Sequence, residues 1–208
     1  MNQSLTLTSN RKEPPVNAGG ACRPWVTLTI ILLSLPFSLA PPLFELGYFD
    51  QALIQQGQFW RLLTGHLSHT SLSHLQWDLL AFALAAGYLE RHSRTLLLLS
   101  LLAAITLLDL HLLSNGATIQ RYAGLSGILF APLIISLVLF AQQQSSINGW
   151  LPLLICLSKL VWELGSQQAL LSQSPWPAYP LAHLIGALAG FIILLHKNRL
   201  KKAPLRRR

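Results

Sequence analysis

Long apolar runs alternate with short polar junctions along most of this chain. After about two dozen mainly polar residues, six apolar segments follow at roughly 25–44, 71–89, 95–113, 125–141, 150–171 and 180–195. Each approaches the roughly 20 residues a helix needs to cross a hydrocarbon layer. A helix satisfies its own backbone hydrogen bonds inside lipid, so the pattern predicts an all-α, polytopic membrane protein with six transmembrane helices. The opening stretch 1–24 has nothing with which to build a core and reads as a flexible cytoplasmic tail. Residues 25–197 read as the membrane domain and 198–208 as a basic cytoplasmic tail. Basic residues before the first segment and Ser38-Leu39-Ala40 after its centre also imitate a secretory signal with a cleavage site. The long leader and the following Pro41-Pro42 favour a retained helix.

Composition points the same way. Only 11% of the 208 residues are charged and 52% are hydrophobic, against roughly 25% charged in a soluble domain; the mean hydropathy is +0.47. The formal charge of +8 raises the question of nucleic acid, but the basic residues sit at segment ends and form no aromatic-interleaved patch. Membrane orientation accounts for them better, because short cytoplasmic loops collect Lys and Arg. Arg11, Lys12 and Arg23 precede segment one, Arg91 and Arg94 join segments two and three, and seven Lys or Arg residues follow segment six. The opposite side has only Arg61 and Arg121. Both termini are therefore expected to be cytoplasmic, with segments two, four and six running inward from the outer face. Cys22 and Cys156 have no obvious way to meet; no disulfide is implied, and Cys156 reads as a small packed apolar residue.

That topology brings the first turns of segments two, four and six to one depth, and those turns hold the chemistry: His74 and Asp78, Ser126, and His183. A serine hydroxyl is a weak nucleophile until a base within hydrogen-bond reach takes its proton, and histidine suits that task. In Gly124-Leu125-Ser126-Gly127, Gly124 permits a tight loop into the helix and Gly127 a close helix neighbour. A serine at a helix start also lies beside unpaired N–H groups and the positive dipole end, half of an oxyanion hole. Taken alone, the glycine-serine motif is a weak signal, because small residues are common at helix interfaces in membranes. His183 alone is equally a packed histidine, although ionisable residues within membrane segments are usually functional. Gly186 and Gly190 form a G-x-x-x-G face that could bring the His183 helix against segment four.

With Trp60-Arg61 in the first outer loop, His69 and His74 leading into segment two, Gly124-Leu125-Ser126-Gly127, and Ala182-His183 with Gly186 and Gly190, the chain resembles the rhomboid family of intramembrane serine proteases. The motifs stand in family order over nearly everything after the first tail. The resemblance implies a six-helix rhomboid-like bundle in which Ser126 is the nucleophile and His183 the base and then acid of a dyad without a carboxylate. It further implies an oxyanion hole of the Ser126 N–H and the His74 side chain. The family usually has asparagine where this chain has Asp78, which as an ionised carboxylate only accepts hydrogen bonds; its expected role is either protonated donor or orienter of His74. Phe130, one turn after the serine, takes the place of an aromatic residue that packs on the catalytic imidazole, or is an ordinary core or lipid-facing phenylalanine.

Lys159 and Glu163 are spaced i,i+4 beside Trp162. They form either a structural pair that neutralises itself in low dielectric or, since segment five is commonly regarded as the lateral gate in rhomboids, part of a substrate path. The short six-helix core, the Lys-x-x-Trp-Glu run and Asp78 look like the rhombosortase branch. That likeness implies a bacterial inner-membrane enzyme whose site opens to the periplasm. It also implies substrates anchored by a transmembrane helix, with C-terminal Gly-Gly-type anchors removed from exported proteins. No cofactor, metal or nucleic-acid partner is expected. Two other readings compete. His66, His69 and His74 with Asp78 could ligate a metal, but spacings of three, five and four do not match a helical zinc motif; His66 and His69 read more simply as interfacial loop residues. A catalytically silent rhomboid-like protein that binds membrane clients is the other; inactive relatives usually lack the serine or the histidine, and both stand here.

Overall fold

The computed structural model describes residues 23–144, 146–171 and 173–202. The expected first tail therefore lies, apart from Arg23 and Pro24, outside the described residues, as do Cys22 and the end of the basic tail. In chain order the elements are α1 (Trp25–Leu39), α2 (Pro41–Gly47), β1 (Phe49–Asp50), α3 (Gln51–Gln55), α4 (Arg61–Thr64), α5 (Leu72–His92), α6 (Arg94–Leu112), β2 (Arg121–Tyr122), α7 (Ser126–Gln143), a 3₁₀ turn (Ile147–Trp150), α8 (Leu151–Ser166) and α9 (Pro180–Lys202). The fold is helical, and the all-α membrane architecture holds. Among the described residues, four helices qualify as spans by length and apolarity, or five if the bent pair α1 and α2 is one. At 21 residues α5 is long enough to span, but it carries Asp78, Glu90 and Arg91.

Three segment limits differ from the hydropathy reading. Segment one does not run as one helix to residue 44: it breaks at Ala40 and turns by 110° into α2. The residue before a proline is pushed out of the helical region, and Ala40 is extended (φ −104°, ψ 109°), with Pro41-Pro42 opening the next helix. Segment five ends at Ser166, short of residue 171, because Gln167 adopts a left-handed conformation (φ 56°) that closes the helix. Segment six continues through Lys202 into the region read as a tail.

Of the four helices that qualify singly, α7 is the most enclosed and α8 the least. α7 packs on α9, α5 and α6, and Ser136 Oγ donates to the Ala85 carbonyl of α5 at 2.8 Å, the kind of interhelical bond that lipid-embedded helices use. Outward leucines and aliphatics such as Leu102, Leu110 and Val161 are exposed, as expected of a surface solvated by acyl chains. The start of α1 has no local side-chain cap. Glu90 supplies one from α5, accepting the Val26 and Thr27 N–H groups and the Thr27 hydroxyl at 2.9–3.0 Å while paired with Arg94.

The segment between α2 and α5 is folded against the site. Arg61 is buried there, donating from Nη1 to Tyr48 O (2.7 Å), from Nη2 to Glu45 O (2.9 Å) and from Nε to Gln58 Oε1 (2.8 Å). β1 pairs antiparallel with β2, Phe49 opposite Tyr122 and Asp50 opposite Arg121, and Arg121 Nε donates to Asp50 Oδ2 at 3.0 Å. The loop is thereby tied to the strand that leads into α7. The basic residues Arg61 and Arg121 thus serve loop architecture.

Candidate active site

The backbone entering α7 reaches its conformation through glycine. Gly124 has φ +152°, which side-chain-bearing residues rarely adopt, and a Cβ there would come within 2.9 Å of His74 Cε1. Its N–H donates to the Gly65 carbonyl at 3.1 Å. Ser126 follows as the first residue of α7. The first N–H groups of a helix have no partner within it, and here side chains from elsewhere meet three of them. Leu125 N–H points to His69 Nε2 (3.3 Å), Ser126 N–H to Asp78 Oδ2 (2.9 Å) and Gly127 N–H to Tyr122 Oη (3.2 Å).

Asp78 is the hub of this cluster. Its Oδ2 lies 3.1 Å from His69 Nε2 and 3.4 Å from His74 Nε2 as well as accepting from Ser126 N–H. His69 is buried, with Nδ1 at 3.0 Å from Ser38 Oγ, and its ring meets His74 edge to face at 5.0 Å. A neutral imidazole nitrogen either donates or accepts, so His69 Nε2 serves Asp78 or Leu125 N–H according to its tautomer. His66 is also buried, 3.1 Å from Asp109 Oδ1, and its Nδ1 has no partner among the described residues. His66 and His69 stand outside the helices, as the loop reading has it, but both side chains are buried, each against a carboxylate that tertiary structure supplies.

α9 lies against α7 through small residues. A Cβ on Gly186 would overlap the Gly127 carbonyl oxygen, and one on Gly190 would come within 2.7 Å of Ala131 O. Ala182 Cβ faces Gly127, so the neighbours of Ser126 and His183 touch. Gly186→Ala is expected to push the two helices apart and cost about 3 kcal/mol, read as a lower midpoint of thermal unfolding in detergent. An unchanged midpoint would contradict the close crossing.

His183 is held on two sides. Phe130, one turn after Ser126, stacks on its ring with centroids 4.6 Å apart and planes 14° from parallel, and it is at the same time a buried member of the apolar core. His183 Nδ1 lies 3.0 Å from Glu163 Oε2 on α8. Glu163 is buried, and its Oε1 accepts from Lys159 Nζ (2.6 Å) and Leu170 N–H (3.0 Å). Trp162, grouped with Lys159 and Glu163 in the sequence reading, is separated from them. It is 45% exposed and outside the cavity lining, being about 100° around the helix from Glu163.

Ser126, His74, Asp78, His183, Glu163 and Lys159 all line one cavity of about 840 Å³. The first turns of α5, α7 and α9 therefore open onto a common space. Its walls are mainly apolar, with Trp77, Leu129, Leu133 and Ile155 among them. Cys156, expected as a packed core residue, is half-buried on that wall. Among the described residues no hydrogen bond joins the Ser126 hydroxyl to the His183 ring; such bonds are often long before substrate binds. The Ser126 side chain lies beside the Tyr122 hydroxyl. Among the described residues no three His, Cys, Asp or Glu side chains converge as metal ligands do.

The sequence reading missed Tyr122, which carries no local signal; it named His69 as a motif residue without its contacts to Asp78 and the Leu125 N–H, and it gave Glu163 no link to His183, from which it is separated by 20 positions and a loop. No curated protein matches the chain. The Rhomboid domain matches residues 56–198, a stretch that includes every residue of the His74, Asp78, Ser126, Glu163 and His183 constellation. On this match the chain belongs to the rhomboid family.

Proposed function

We propose that the protein is an intramembrane serine endopeptidase that cuts membrane-anchored proteins near the outer face of the membrane. The observation that carries this reading is the convergence of Ser126, His183 and His74 on one mostly apolar cavity. An unwound substrate segment enters that cavity and presents a carbonyl to Ser126. His183 takes the hydroxyl proton as the Oγ–carbon bond forms, then gives it to the leaving amine as the peptide C–N bond breaks. Water attacks the acyl-enzyme with His183 again as base, releasing the new carboxyl terminus and restoring Ser126.

Negative charge develops on the carbonyl oxygen, and the Ser126 N–H with His74 Nε2 is the donor pair proposed to meet it. Both donors face Asp78 Oδ2 in the resting arrangement. The carboxylate therefore stands in for an oxyanion and keeps the donors desolvated and oriented until a substrate carbonyl replaces it.

The distribution of basic residues supports an inner-membrane protein with both termini cytoplasmic and the cavity opening to the periplasm. The likeness to rhombosortases supports exported proteins with C-terminal Gly-Gly-type anchors as clients, each held by a transmembrane helix. The test is mass spectrometry of the C-termini of such proteins from cells carrying wild type or Ser126→Ala. Shortened termini in wild type alone are expected; identical termini in both would remove this client class.

A further inference from the structure

We infer that Glu163 is a positioning residue for His183, holding the imidazole by Nδ1 so that Nε2 is left to serve Ser126. The inference rests on the protease reading and adds a third member to its pair. Three observations support it. First, the contact is short and enclosed: Nδ1 to Oε2 is 3.0 Å, and Glu163 is 1% exposed. Second, the carboxylate cannot swing away, because Lys159 Nζ and Leu170 N–H hold its other oxygen. Third, the ring is fixed in two directions at once, by the carboxylate in its plane and by Phe130 across its face.

The chemistry follows from what each atom can do. A carboxylate only accepts, so a neutral imidazole beside Glu163 places its single proton on Nδ1 and its lone pair on Nε2. That is the tautomer a general base for a serine hydroxyl needs. When Nε2 takes the serine proton, the resulting imidazolium is stabilised by the carboxylate at its back. Glu163 itself keeps its charge throughout. Lys159 balances that charge in the apolar surroundings, which a buried carboxylate requires.

A purely structural role is the competing account, since Glu163 also ties the loop after α8 through Leu170 N–H. The two roles use different oxygens, Oε1 for the loop and Oε2 for the base, and they predict different readouts. A loop tie alone lowers stability without altering Ser126 reactivity per folded molecule.

The test uses the full-length protein in detergent. The rate of covalent labelling by a fluorophosphonate probe is measured for wild type, Ser126→Ala, Glu163→Gln and the charge-balanced Lys159→Met/Glu163→Gln, each normalised to folded protein by thermal unfolding. A glutamine can offer an N–H to Nδ1 and so impose the wrong tautomer; in soluble serine proteases the corresponding acid-to-amide change lowers kcat about 10⁴-fold. Here labelling of both glutamine variants is expected to fall at least about 100-fold per folded molecule. Selectively ¹⁵N-histidine-labelled wild type gives a readout that needs no variant, with His183 expected as the Nδ1–H tautomer. Wild-type rates in a folded glutamine variant, or an Nε2–H resting tautomer, would overturn the inference and leave the protease reading intact. Failure of wild type itself to label at Ser126 would overturn both.

Discussion

His183→Ala is expected to lower substrate cleavage by about 10⁴-fold or more, to the level of Ser126→Ala, while the protein stays folded in the membrane. The size of the effect follows from how the pair divides the work. Without a base, the Ser126 hydroxyl attacks as a neutral alcohol, and without an acid the leaving amine departs unprotonated. Both steps lose the same residue. Groups that act as a unit are strongly non-additive, so Ser126→Ala/His183→Ala should be no slower than either single variant. Loss of the imidazole removes the Phe130 stack and one partner of the buried Glu163 carboxylate, but Lys159 and the Leu170 N–H still hold that carboxylate, so a lower thermal midpoint is expected in a protein that remains folded. Substantial cleavage by His183→Ala, measured on a purified substrate in proteoliposomes, would contradict its role.

Asp78 carries the second large expectation, and two substitutions there should behave differently. Asp78→Ala leaves Ser126 N–H, His69 Nε2 and His74 Nε2 facing a void inside the protein. Breaking such a buried charged cluster is expected to cost about 3–5 kcal/mol, and cleavage should fall with it as His74 loses its orientation. Asp78→Asn keeps an acceptor for one of these donors and adds an N–H that can point at the developing oxyanion. It also removes a negative charge from the place where another must form. Activity within about tenfold of wild type is therefore expected, with a smaller loss of stability than the alanine. Thermal unfolding and initial cleavage rates of the two variants, compared side by side, check this. Severe loss in a folded Asp78→Asn protein would mean that the carboxylate itself is required.

How far the sequence reveals such a site depends on whether its contacts are local. Ser126 and His183 are legible because each stands in the first turn of an apolar segment, and the alternation of segments sends those turns to one end of the bundle. Gly124, Gly127 and Gly186 are legible as small residues where backbones or rings approach. The break after α1 is written in Pro41-Pro42, yet hydropathy stays high through Phe44 and hides it. The end of α8 is likewise masked by Ala169-Leu170-Leu171 after the two glutamines. What cannot be read along the chain is pairing across helices. The Lys159–Glu163 bond is visible as an i,i+4 spacing, whereas the Glu163–His183 bond exists only because α8 and α9 fold back on each other. His66 and His69 are loop residues whose burial against Asp109 and Asp78 no neighbouring residue announces, and nothing adjacent to Tyr122 marks its hydroxyl as the partner of the Gly127 N–H.

The central claim is that Ser126 is a nucleophile activated by His183. Its most direct test is peptide-resolved mass spectrometry of the fluorophosphonate-treated, full-length protein in membranes. The expected result is a covalent adduct on Ser126 in wild type and a labelling rate lowered by orders of magnitude in His183→Ala. No adduct on Ser126 in wild type, or an undiminished rate without His183, would contradict it.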